Sequence, residues 1–129
     1  MQAPNAERAM GLNLGKLMLL VACVCASPPS SAEALTVSKL EGFCSGLSGS
    51  PKTSSQLSCL AYVAGFRSGY DMNAWALPVQ VACWPDQADN IQLARVFLKW
   101  AAENPARGHE DAALGLLEAL TAAFPCPID

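Results

Sequence analysis

Apolar positions recur at intervals of three and four along much of the chain, the spacing that gathers side chains on one side of an α-helix. The clearest run spans Glu110 to Phe124, where Ala113, Leu116, Leu117, Leu120 and Phe124 share a face. Glu110 and Asp111 stand in its first turn, where negative charge suits the positive end of the helix dipole. Pro125 ends the pattern. The stretch Ile91 to Asn104 predicts the preceding helix, with Ile91, Ala94, Leu98 and Ala101 on one face and Phe97 and Trp100 beside them. Arg95, Lys99 and Glu103 repeat every four residues and read as its solvated side. Asp89 or Asn90 caps its start. Asn104-Pro105 stops it, because proline disfavours helical geometry in the residue before it. Pro105 to His109 is then a tight connection between two helices.

Upstream, Ser54 to about Trp75 predicts a longer helix with Ser54 or Ser55 as its N-cap. Leu57, Leu60 and Ala64 recur at helical spacing, as do Cys59, Tyr62 or Val63, and Phe66. Tyr62, Phe66 and Tyr70 form one stripe. Gly65 and Gly69 form a smooth strip that admits close approach of another helix. Core packing is the plain reading of both; a partner groove with aromatic anchors is the sharper one. A short helix from Leu35 to Gly46, capped by Thr36 or Ser38, turns Leu40 and Phe43 inward. Gly46 to Pro51 is a loop by composition. No alternating strand pattern and no internal repeat interrupts this reading. The expected fold is all-α, a small bundle of about four helices.

The N-terminus changes the expected compartment. Arg8 and Lys16 precede the apolar run Leu17 to Ala26, then come Pro28, Pro29 and Ala32-Glu33-Ala34. A basic region, a short apolar core and a small-x-small site describe an export leader. Cleavage after Ala34 leaves residues 35–129 as a single mature domain, and a start at Met10 gives a more usual basic region. The apolar run is shorter than the roughly 20 residues that span a bilayer, so no membrane span is expected after cleavage. A competing reading takes Leu20-Val21-Ala22-Cys23 as a lipobox with Cys23 acylated.

Loss of the leader removes Cys23 and Cys25 and leaves Cys44, Cys59, Cys83 and Cys126. In a small exported chain an even count predicts two disulfides, with three possible pairings. Cys44–Cys59 and Cys83–Cys126 are favoured because each closes a local helical pair. Their loops correspond to about 3 and about 4 kcal/mol on a chain-entropy estimate. Such cross-links offset the limited core of a short chain. The staple from Cys83-Trp84-Pro85 to Phe124-Pro125-Cys126 fits an antiparallel hairpin, in which the entry of one helix lies beside the exit of the other.

Charge and chemistry narrow the function. The net charge of −3 carries no run of Lys or Arg, which argues against a nucleic-acid surface. The mature chain has no Cys-x-x-Cys pair, and His109 is the single histidine; no metal or cofactor site is expected. His109 stands in a loop without a nucleophile to activate. Asp86, Asp89, Glu110 and Asp111 are explained by capping. No phosphate loop or nucleophile elbow is present. A binding protein is expected, not an enzyme. The connection from Ala76 to Asn90, held at Cys83, is the candidate partner-contact loop, with Trp84, Asp86 and Asp89 as its contact residues. Trp84 beside Cys83 and Pro85 is better placed as a buried plug than as an exposed anchor.

The order of several short motifs then becomes informative. Cys59-Leu60-Ala61-Tyr62-Val63-Ala64-Gly65 resembles a Cys-x-x-Tyr-x-x-Gly helix, and Cys83-Trp84-Pro85 a Cys-x-Pro turn. Gln92 to Trp100 is similar to the helix that follows, and Glu103-Asn104-Pro105 to its end. Ala119-Leu120-Thr121-Ala122-Ala123-Phe124-Pro125-Cys126 resembles an Ala-Leu-x-x-Ala-Phe-Pro-Cys signature. Together they resemble the Rap/Tai family of type VI secretion immunity proteins over about Cys44 to Pro127. The resemblance implies a periplasmic, disulfide-containing helical protein of a Gram-negative bacterium. It implies a protein partner, a peptidoglycan amidase effector whose groove is occluded, and often a homodimer. Trp84 stands where an aliphatic residue is commoner, and Asp89-Asn90 where a Thr cap is usual; both changes bear on partner choice. The alternative is an envelope binding or chaperone-like protein on the same scaffold, since a fold does not dictate a function.

Overall fold

The computed structural model describes residues 33–76 and 80–127. The expected leader, except its last two residues, and the alternative acylation site Cys23 lie outside the described residues. Four α-helices form the described fold: α1 (Val37–Cys44), α2 (Ser54–Ala76), α3 (Asn90–Glu103) and α4 (Ala112–Ala123). A 3₁₀ turn at Pro105–Arg107 joins α3 to α4. The all-α expectation holds, and the short α1 packs on each of the other helices.

Each helix start has a local chemical cause. Asp89 caps α3 by accepting from the Gln92 amide at 2.7 Å. Asp111 caps α4 by accepting from Ala113 and Leu114. Glu110, expected inside α4, lies before the cap, so that helix begins two residues later than its charge pattern suggests. The cap of α2 is Thr53, not Ser54 or Ser55: its hydroxyl accepts from the Gln56 amide at 3.2 Å. The Gln56 side chain accepts from the Lys52 amide and donates to the Ser45 carbonyl. Thr-x-x-Gln therefore acts as a variant of the capping box, and its buried amide is satisfied on both sides. The α1 entry is tied to the far end of the chain. Val37 and Ser38 donate their amides to the Glu110 and Gly108 carbonyls, and Ala112 donates back to Leu35. First-turn amides of α1 thus find partners outside their own helix.

The core comprises Val37, Leu40 and Cys44 of α1, Cys59 and Val63 of α2, Leu93, Ala94, Phe97 and Ala101 of α3, and Ala112, Leu116, Ala119 and Leu120 of α4, with Leu47, Ala82 and Ala88 from the connections. Several faces are rotated from expectation. Leu93 is fully buried while Ile91 and Leu98 are only half-buried, so the inward face of α3 centres on Leu93 and Phe97. Phe43 is exposed, and Val37 and Cys44 take its place inside. Leu57 is also exposed.

The glycine strip is the other correction. Space beside Gly65 and Gly69 is open, and no helix approaches there. The close approach occurs at Gly115, where a Cβ would lie 2.6 Å from Val37 Cγ2 and 3.1 Å from Trp100. Both disulfides pair locally. Cys44–Cys59 joins α1 to α2 with Cα atoms 5.1 Å apart, and Cys83–Cys126 spans 4.8 Å. The second does not clip α3 directly. It fastens the loop before α3 to the end of α4, assisted by a Cys83 amide to Phe124 carbonyl bond of 2.8 Å.

A charged cluster locks the α3–α4 connection. Arg107 binds both Glu110 and Glu118, and its guanidinium lies over the Trp100 ring at 5.0 Å. Hydrogen bonds to Arg107 hold both glutamates below the ordinary carboxylate value of 4.5. A folded-state value below the unfolded one means that this stabilisation is complete above that range. It is lost as pH falls through the lowered folded values.

Candidate functional site

The second half of α2 and residues 80–89 form the surface to which the predicted contact loop belongs. Past Val63, no residue of α2 is fully buried. The helix nevertheless grips the loop at both ends. The Tyr70 hydroxyl accepts from the amides of Val81 (3.0 Å) and Ala82 (2.8 Å) and donates to the Ala82 carbonyl at 3.1 Å. One phenol thereby uses its single donor and both acceptor sites. Nearly one turn earlier, Arg67 donates to the Ala88 carbonyl at 2.5 Å and lies 3.8 Å from Asp71. Between these two points the Cys83–Cys126 bond anchors the loop to the end of α4. An internal turn, Ala88 amide to Pro85 carbonyl, closes its tip. The loop forms a braced ledge, covalently bonded at one point and hydrogen-bonded at several.

Trp84 rests on this ledge. Its ring packs against Tyr70 with centroids 4.7 Å apart in a tilted pair at 49°, within the range of aromatic contact. It is half-buried, neither the sealed plug expected of it nor a free anchor. Tyr70 stacks in turn near Phe66, so the aromatic stripe of α2 serves as the platform for the loop. Beside Trp84 opens a groove of about 530 Å³ whose walls include Arg67, Asp71, Trp75, Trp84 and Asp86. Trp75 is 94 % exposed and neighbouring Met72 75 %. Large apolar side chains left this open are the informative exceptions on a protein surface.

The predicted contact residues divide. Trp84 and Asp86 share this groove, whereas Asp89 lines a separate cleft of about 750 Å³ over α3, with Ile91, Arg95 and Lys99. The Asp89 carboxylate is also committed to its cap. Sequence reasoning missed Arg67, Asp71 and Trp75. Their spacing of four does carry a signal: a polar and aromatic face on the half of α2 beside the stripe that ends at Tyr70. His109 is exposed. Among the described residues no group of three or more His, Cys, Asp or Glu side chains is arranged to hold a metal ion. None of the described helices is long and apolar enough to cross a membrane.

Comparison with known proteins supplies the remaining observation. A family profile described as Rap1a immunity proteins matches residues 19–126, which takes in all four helices and both disulfides. No curated protein and no solved structure matches the chain.

Proposed function

This chain belongs to the Rap1a immunity proteins, and we propose from that membership that it protects its cell by binding a type VI-delivered peptidoglycan amidase in the periplasm. The family match over residues 19–126 carries the reading. Membership implies a non-enzymatic inhibitor with a secreted effector as its protein partner. The two disulfides agree with an extracytoplasmic protein. Residues 1–34 act as the cleaved leader, and the mature chain starts at Leu35.

The proposed inhibition is steric. An amidase groove accommodates peptide stems, and a braced ledge bearing Trp84 fills such a groove without itself needing a catalytic group. Pre-ordering of the ledge by Tyr70, Arg67 and the Cys83–Cys126 bond reduces the entropy lost on docking. The test is complex formation with the amidase effector of the same secretion system, followed by protection of cells that receive it. Trp84→Asp should abolish both while leaving the circular dichroism spectrum unchanged. Equal protection by loop variants and by the unmodified protein would remove this loop from the mechanism. Binding to varied unfolded clients, with no amidase bound, would favour a general envelope chaperone instead. Intact-mass measurement of periplasmic material should give a chain beginning at Leu35 and lacking acyl mass.

A further inference from the structure

We propose that the groove beside Trp84 receives a basic side chain, arginine or lysine, presented by the effector. The inference rests on the immunity reading above and deepens it by naming the chemistry of the contact. Three features of the groove point the same way. First, its aromatic surfaces are available: Trp75 is 94 % exposed, and Trp84 is backed on one side by Tyr70 and half-open on the other. Second, its cation is already engaged, since Arg67 is divided between the Ala88 carbonyl and Asp71. Third, Asp86 makes no hydrogen bond or ion pair with any described residue and lies in the same wall. What remains without a protein partner among the described residues is an exposed carboxylate that shares the groove with two aromatic rings. A guanidinium or ammonium group complements both, by charge-assisted hydrogen bonding to the carboxylate and by attraction to the rings.

Other occupants fit less well. An anionic group meets Asp71 and Asp86. A wholly apolar plug buries the Asp86 carboxylate without a partner, which is costly. The net charge of −3 adds a long-range bias toward a basic surface. The Arg107 cluster offers no comparable opening, because its guanidinium is already shared by two carboxylates and the Trp100 ring.

The test measures affinity for the purified amidase effector at low and high salt. Asp86→Lys should weaken binding about 100-fold, as expected when a close charge pair becomes a like-charge contact. Trp75→Ala should weaken it about tenfold through the lost cation–π face. Glu103→Lys makes the same change of charge on the exposed side of α3 and should cost about threefold at most, through long-range charge alone. A compensating Arg→Glu or Lys→Glu change in the effector should restore binding to Asp86→Lys and not to Trp84→Asp. Unchanged affinity and salt dependence in Asp86→Lys, with binding still lost in Trp84→Asp, would overturn this proposal and leave the immunity reading intact. Failure of the unmodified protein to bind the effector would overturn both. Conversion of a dimer to a monomer by Trp75→Ala, with effector affinity unchanged, would assign the face to a second copy and overturn the proposal.

Discussion

The two halves of α2 belong to one continuous helix and are stabilised by different physics. Its first half carries Gln56, Cys59 and Val63 into the core and is bonded to α1 through Cys44–Cys59. Its second half buries none of its residues fully, and it holds the neighbouring loop through Tyr70 and Arg67. The first half contributes to the stability of the domain. The second positions a ledge and leaves apolar and charged groups open to a partner. The proposed contact loop is thus held by polar bonds and one disulfide, together with Ala82 and Ala88, which are buried with the core.

Substitutions should separate the two halves. Joint replacement Cys44→Ala and Cys59→Ala removes a 15-residue loop closure worth about 3 kcal/mol. It also deletes two fully buried sulfurs, at about 1 kcal/mol each. Chemical denaturation should therefore show a loss near 5 kcal/mol, a large share of the stability of a domain this size. In the second half, Tyr70→Phe strands the amide of buried Ala82 and frees that of exposed Val81 to water, and should cost about 1–3 kcal/mol. Its distinctive signature is faster hydrogen exchange at those two amides with the Leu93 and Phe97 amides unchanged. If exchange rises uniformly, the loop and the core form one cooperative unit and the division fails.

Glycine replacements sharpen the same contrast. Gly69→Ala places a methyl in open space and should stabilise by about 0.5–1 kcal/mol through helix propensity. Gly115→Ala meets Val37 at 2.6 Å and should destabilise, since overpacking costs typically 1–3 kcal/mol against that same propensity gain. Thermal melts of the two variants should move in opposite directions. Finally, Trp75→Ala should change stability by less than about 0.5 kcal/mol, as for a surface residue without structural contacts, even where it weakens effector binding.

Much of this organisation is legible in the order of residues. The α4 face is readable because Leu116 and Leu120 sit four apart within a strongly apolar segment, and Pro125 marks its end. Of the three pairings the four cysteines allow, the one that closes two local helical pairs is favoured by the sequence and is the one formed. Less legible is the phase of α3, where apolar residues lie on more than one side; only packing against α1, α2 and α4 puts Leu93 inside and leaves Ile91 half-covered. The glycine pair of α2 illustrates the same ambiguity. Small residues four apart permit a close approach but do not supply the neighbour, and the neighbour comes to Gly115 instead.

For the site, the connection from Ala76 to Asn90 is identifiable from its prolines, its acids and Cys83. Its division is not. Asp89 is drawn away by the helix it caps, and Trp84 is joined by Trp75, Asp71 and Arg67 from a distant stretch of chain. Nothing local relates those residues to the loop. Local sequence chemistry by itself determined the helices and their stops and favoured the short Cys44–Cys59 link, because periodicity, proline and a 15-residue cysteine spacing act within a few turns of chain; the 43-residue Cys83–Cys126 closure depends on how the hairpin folds back. The tertiary structure alone decided which half of α2 is buried, which glycine is crowded and that Asp86 shares a groove with Trp75 and Trp84. Each of those outcomes depends on what a remote segment brings to the same place.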